Sequence, residues 1–221
     1  MKDLKASRGR YFIENAIAQG EHERQDFKYA VNDARKIARS LSAFANHSGG
    51  RLLIGVKDNG VVAGVRNDED VYVVEAAAQI YCVPPQEVTF TAYRDAAGSV
   101  VIVAEVARAP QRPVRVKEEG DALRAYYRVA DENIAASGLM VRAWTAADGG
   151  RPVEFDAAAE GRVLDALRLG ALPMSVKDLC GVCRMSQRSV ERAVVRLYAM
   201  GLAEFVHTRS GFMVTCADVS E

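Results

Sequence analysis

The chain has 221 residues, 49% of them hydrophobic, and its 29 basic and 29 acidic side chains leave a formal net charge of +0. That is enough chain for one large domain or two small ones, each with its own core, and it offers nucleic acid no bulk charge, so any such footprint must be a local patch. No apolar run approaches the ~18 residues of a membrane span, and the polar, basic residues 1–10 have no apolar segment behind them, which makes the cytoplasm the expected compartment.

In chain order, residues 11–18 read as a short helix and Asp26-Phe27-Lys28 as an extended stretch. Val31, Ala34, Ile37, Ala38, Leu41, Phe44 and Ala45 then recur at helical spacing, and Gly49-Gly50 stops that helix. Residues 52–56 form a buried strand. Asp58-Asn59-Gly60 is a turn, and residues 61–65 are the return strand of a hairpin. A second amphipathic helix over 71–81 ends at Pro84-Pro85. Strands follow at 88–93 and 100–106, then a loop over 110–120 and a last strand over 124–129. Helices mixed with antiparallel pairs make this part α+β.

Gly149-Gly150-Arg151-Pro152 marks the expected linker, with one domain over 1–146 and another over 154–221. Beyond it come helices over 155–169 and 176–183, the second opened by Ser175. Ser186 opens a longer helix to Met200, and strands over 202–206 and 212–215 pair around Ser210-Gly211. Helix, helix, turn, helix, strand, strand is the order of a small winged helix-turn-helix domain. Cys180 and Cys183 have redox or half-zinc spacing, but no second pair completes a site, so they read as core residues, and the four cysteines suit a reducing compartment.

The local basic patch lies here: residues 184–209 hold Arg184, Arg188, Arg192, Arg196 and Arg209 against Glu191 and Glu204. In a helix-turn-helix the second helix enters the major groove, where arginine and glutamine make bidentate contacts to base edges. With the apolar stripe inward, Gln187, Arg188, Glu191, Arg192 and Val195 face out. The candidate DNA-binding residues are Ser186, Gln187, Arg188, Arg192 and Arg196, with Arg209 in the wing. The segment resembles winged-helix transcription-factor domains. Such a domain also serves as a protein-interaction module, and that alternative stays open.

The run Leu41-Ser-Ala-Phe-Ala-Asn46-His-Ser-Gly49-Gly50-Arg-Leu-Leu-Ile-Gly55-Val-Lys-Asp58-Asn-Gly60 resembles the Schlafen AlbA-like domain family. Glu21, Asp26-Phe27-Lys28 and the late Tyr126-Tyr127-Arg128-Val129 match further marks of that family, and the resemblance covers about residues 20–140. It implies an N-terminal Schlafen AlbA-like α+β domain, DNA as partner, and a C-terminal winged helix as a common companion. Family members in animals include tRNA and rRNA endonucleases with three carboxylates. Those positions fall on Glu21, Asp26 and Asp58, with Asp26 replacing the usual Glu. Under that reading the three hold Mg or Mn and Lys28 joins them as a catalytic residue. Taken on their own, acidic residues near turns are solvated side chains, and Asp58-Asn59-Gly60 is a good turn without chemistry.

Gly49-Gly50 is not followed by Lys-Ser or Lys-Thr, so it is a helix stop with a close backbone approach, not a P-loop, and no ATP is expected. His22 and His47 read as solvated histidines. The first reading is therefore a DNA-binding transcriptional regulator requiring no cofactor, with a homodimer plausible on two-fold sites. The rivals are a metal-dependent endonuclease of structured RNA or DNA and an interaction module.

Overall fold

The computed structural model describes residues 6–65, 69–150 and 154–217. Within them the chain divides into two units. One runs to Ala109 and adds Pro113–Ala136; the other takes Pro110–Arg112 and everything from Ser137 onward.

The first unit contains β1 (Ser7–Arg8), α1 (Arg10–Ala18), β2 (Gln25–Lys28), α2 (Ala34–Asn46) and β3 (Gly50–Ile54). Next come α3 (Glu69–Ala76), running on into a π-helical turn at Ala77–Tyr81, then β4 (Cys82–Val83), β5 (Val88–Arg94) and β6 (Val100–Val106). β7 (Arg115–Lys117), β8 (Leu123–Val129) and β9 (Glu132–Ala135) complete it. One mixed sheet has the order β1-β5-β6-β3-β2 and the other β4-β7-β8-β9. Strand alternation commits the first sheet to two helices. Phe27, Leu53, Val101 and Val103 meet Ile13 and Ala16 of α1. Leu52, Ile54, Ile102 and Ala104 share a core with Ile37, Leu41 and Phe44 of α2, which also includes Val116 and Tyr126 of the small sheet.

Asp33 starts α2, its carboxylate accepting from the backbone N–H of Arg35 and Lys36 at 3.0 and 3.2 Å. Asn46 ends it inside the protein, fully buried. Its amide donates to the carbonyls of Val114 (2.8 Å) and Tyr126 (2.9 Å) and accepts from the Val114 N–H (2.7 Å). The asparagine of the signature run thus clasps the small sheet to the helix. Gly49 follows at φ +74, and a Cβ there would lie 2.9 Å from the Val106 carbonyl oxygen, so the helix stop is also a close approach to β6.

Three sequence expectations change. Residues 61–65 are not a return strand: apart from a single bridge between Val56 and Val62, they form a tight loop in which Ala63 and Gly64 both donate to the Gly55 carbonyl. β3 is flanked by β2 and β6, so no edge is left for a hairpin partner. The expected loop over 110–120 contains β7. Finally, the chain divides after Ala136 and not at 149–152, of which Arg151 and Pro152 lie outside the described residues. The reason is α4 (Gly138–Asp148), whose Leu139 packs against the core of the second unit.

In the second unit, α4 is followed by a π-helical turn at Ala157–Gly161, α5 (Arg162–Leu169), α6 (Val176–Cys183), α7 (Gln187–Ala199), β10 (Ala203–Thr208) and β11 (Gly211–Cys216). Val163, Leu167, Leu179, Val190, Val194 and Leu197 form its core. β10 and β11 pair antiparallel, and Met174 adds a further rung on Val214. Ser175 and Asp178 make a reciprocal capping box at α6, and Ser186 caps α7 by accepting from the Ser189 N–H.

Candidate functional site

The carboxylates of the first unit assemble on the edge strand β2. Asp26 shares its register with Leu52 of β3 and is buried against α2, where the Ser40 hydroxyl donates to its Oδ2 at 3.3 Å. Lys28 Nζ sits 2.8 Å from the same oxygen. Arg128, 1% exposed, reaches within 3.6 Å of Oδ1. That guanidinium also donates to the carbonyls of His22 (3.3 Å) and Gln25 (3.2 Å) and to Asn133 Oδ1 (2.9 Å), and it lies over the Phe44 ring at 5.1 Å. Glu21 turns back onto the strand, its Oε1 accepting from the Phe27 N–H at 2.8 Å and its carboxyl hydrogen-bonding Asp26.

The two acids split. Burial, reinforced by the hydrogen bond to Asp26, raises Glu21 to about 7. Burial works to raise Asp26 as well, but the Glu21 hydrogen bond, the Lys28 ammonium and Arg128 outweigh it and hold that carboxyl below its ordinary value. Glu21, part-buried, therefore holds its proton to higher pH than the buried Asp26, whose carboxylate stays ionised beside Lys28 and Arg128.

Asp58, by contrast, is exposed in the turn after Val56. Among the described residues no group of three or more His, Cys, Asp or Glu side chains is placed to hold a metal ion. The three expected metal ligands are thus not gathered: Glu21 and Asp26 meet, and Asp58 is not part of their group. With Lys28 already on Asp26 Oδ2, the arrangement does not fit a divalent ion. Sequence reasoning named Lys28 but gave no role to Arg128, Ser40 or Asn133. Arg128 carried a usable signal, an arginine beside Tyr126 and Tyr127 in a strand with buried positions.

On α7, Gln187, Arg188 and Arg192 are exposed, as is Arg209 on the β10–β11 turn. Arg196 differs: its Nε lies 3.2 Å from Oε1 of the buried Glu160, and its guanidinium also donates to the Glu154 carbonyl. It belongs to the internal structure of the unit, because the buried Glu160 carboxylate holds its guanidinium. Ser186 is engaged as the cap and also meets the Ser189 hydroxyl at 2.9 Å. Glu191 is tied up on both oxygens, by Gln187 Nε2 (2.7 Å) and by Arg142 of α4 (2.5 Å). Arg142, Arg188, Glu191, Arg192 and Val195 line a shallow groove of about 330 Å³.

Residues 21–137 match the family model for the Schlafen AlbA_2 domain, more than half of the chain. The chain belongs to the Schlafen AlbA_2 family. For an AlbA_2 protein the first unit is thereby a nucleic-acid-binding domain in kind, and the buried Asn46 and Arg128 are its architectural residues here. No curated protein matches the chain significantly. Among solved structures, the DIP2311 protein of Corynebacterium diphtheriae is similar at 19% identity with a TM-score of 0.46. That likeness covers 91% of this chain and 37% of the other, so the chain spans little more than a third of that protein's length. No described helix of this AlbA_2 chain is long and apolar enough to cross a membrane.

Proposed function

We propose that this AlbA_2 protein is a cytoplasmic DNA-binding regulator whose second unit is a winged helix-turn-helix with α7 as its reading helix. One observation carries the reading. α7 presents Arg188 and Arg192 exposed and without an ion-pair partner among the described residues, while Arg142 and Gln187 occupy the acid between them. A free Glu191 would repel phosphate; a neutralised one leaves the face cationic. The order α5, α6, α7, β10, β11, with the extra rung at Met174, supports the winged-helix assignment. Arg209 at the hairpin tip is suited to a backbone or minor-groove contact.

The test is a gel-shift on sheared genomic DNA with and without Mn²⁺. A shift without cleavage supports the regulator. Cleavage appearing with Mn²⁺ makes the protein a nuclease and requires Asp58 to join Glu21 and Asp26. The absence of any shift at low salt leaves the interaction module as the function.

A further inference from the structure

The face of the first sheet that carries α1 is only partly covered. α1 covers Leu53, Val101 and Val103, and beyond it lies a cleft of about 710 Å³. That volume is within the ~300–1,000 Å³ typical of small-ligand sites. Its walls hold Arg24, Arg51 and Arg108 together with Glu87 and Glu105. All belong to the first unit, and none lies on the Asp26 side of the sheet.

Register explains the charges. Arg51, Glu105 and Thr89 are Cα partners across β3, β6 and β5, so their side chains leave the sheet on one face, about 4.8 Å apart strand to strand. Neighbours of opposite charge at that spacing ordinarily pair. Here Arg51 instead gives its Nε to Gln25 Oε1 at 2.7 Å and its NH2 to Gln19 Oε1 at 3.4 Å, and it lies over the Phe12 ring at 5.3 Å. Glu105 is left with no ion pair among the described residues, and the same holds for Arg24, Arg108 and Glu87. A guanidinium fixed by neutral partners keeps its full charge, and unpaired arginines beside unpaired carboxylates in one cleft suit a ligand carrying both an anion and hydrogen-bond donors.

We propose that this cleft binds a ribonucleotide, with its phosphate on Arg24 and Arg108 and its sugar hydroxyls on Glu105. The choice of a nucleotide rests on the nucleic-acid reading above; the cleft itself does not. Three arginines against two carboxylates leave one positive charge, enough for one phosphodiester and far short of a triphosphate. The carboxylates would repel a bare polyanion but accept from the hydroxyls of ribose, which a deoxyribose lacks in part.

The test is equilibrium titration of the full chain with adenosine 5′-monophosphate, its 2′-deoxy counterpart and a mixed-sequence single-stranded RNA 12-mer. Saturable binding of the ribose probes is expected, weakened at least about tenfold in the double variant Arg24→Ala/Arg108→Ala, whose thermal unfolding stays at the wild-type midpoint. Glu105→Gln should bring ribose and deoxyribose affinities together. Preference for the 12-mer assigns the cleft to a nucleotide within a strand, and preference for the monophosphate assigns it to a free nucleotide. The proposal is overturned if no probe binds, if the arginine variant binds as wild type does, or if Glu105→Gln leaves the ribose preference intact. Running Arg188→Ala/Arg192→Ala in parallel separates the two readings. Loss of RNA binding in that variant alone removes the cleft and leaves the α7 reading standing. With sheared genomic DNA as a fourth probe, undiminished DNA binding by Arg188→Ala/Arg192→Ala removes the α7 reading and leaves the cleft.

Discussion

Glu21 and Asp26 differ in what folding does to their protons, and stability should report it. Glu21 is raised from its ordinary 4.5 to about 7, so the folded state holds a proton that the unfolded state releases. Its contribution is whole below about pH 4.5 and is lost as pH rises through about 7. Asp26 is lowered, so its contribution is present above its ordinary 3.8 and is lost as pH falls through its folded value. Glu21→Gln keeps a donor toward Asp26 but cannot ionise. It should flatten the fall in stability between about pH 4.5 and 7 and be the more stable protein at pH 8, as followed by urea denaturation. Parallel wild-type and variant curves would contradict the raised Glu21 value. At Asn46 the expectation is simpler. Asn46→Ala leaves the buried Val114 N–H and Tyr126 carbonyl without that partner, at about 1–3 kcal/mol for each orphaned group. A measured loss below about 0.5 kcal/mol, the range of an indifferent surface site, would show that the clasp is not structural.

Elements with a strong period were legible in the sequence, and those defined by their neighbours were not. α2, β5, β6 and α7 carry enough apolar repeats to announce themselves, and their bounds differ from the expected ones by a few residues. β7 and β9 have three and four residues, too few for a period, and exist because β8 supplies their hydrogen bonds. Residues 61–65 look like a strand in isolation and fail for lack of an edge. α4 escaped because its buried positions, Met140, Ala143 and Trp144, are few and follow directly on a strand. Its omission mattered for function: without Arg142, Glu191 stood as an unexplained acid on a DNA-facing helix. Arg142→Ala should therefore weaken DNA binding by up to about fivefold, the worth of an exposed pair, and Glu191→Gln added to it should restore the affinity. If Arg142→Ala binds DNA as tightly as wild type in an anisotropy titration, α4 does not tune α7.

At the scale of the whole chain, two cores are supported by different kinds of information. The first rests on a signature run whose glycine and asparagine have structural reasons, and the family assignment follows from it. The candidate site was half legible there: Glu21, Asp26 and Lys28 meet, while Asp58 is exposed in the turn after Val56 and is left out. The second core rests on periodicity and capping, and it begins with α4. A fragment starting at Ser137 should accordingly keep its helical signal on heating to higher temperature than one starting at Glu154, which lacks α4 and its Leu139 contact with that core. Equal midpoints would place α4 outside the core. The most direct test of the account is binding of Arg188→Ala/Arg192→Ala to a pool of genomic DNA fragments at one fixed salt concentration. The account predicts loss of discrimination among fragments, with about 1–3 kcal/mol lost on the preferred site for each arginine that reads a base. Binding and discrimination equal to those of the wild-type protein would contradict it.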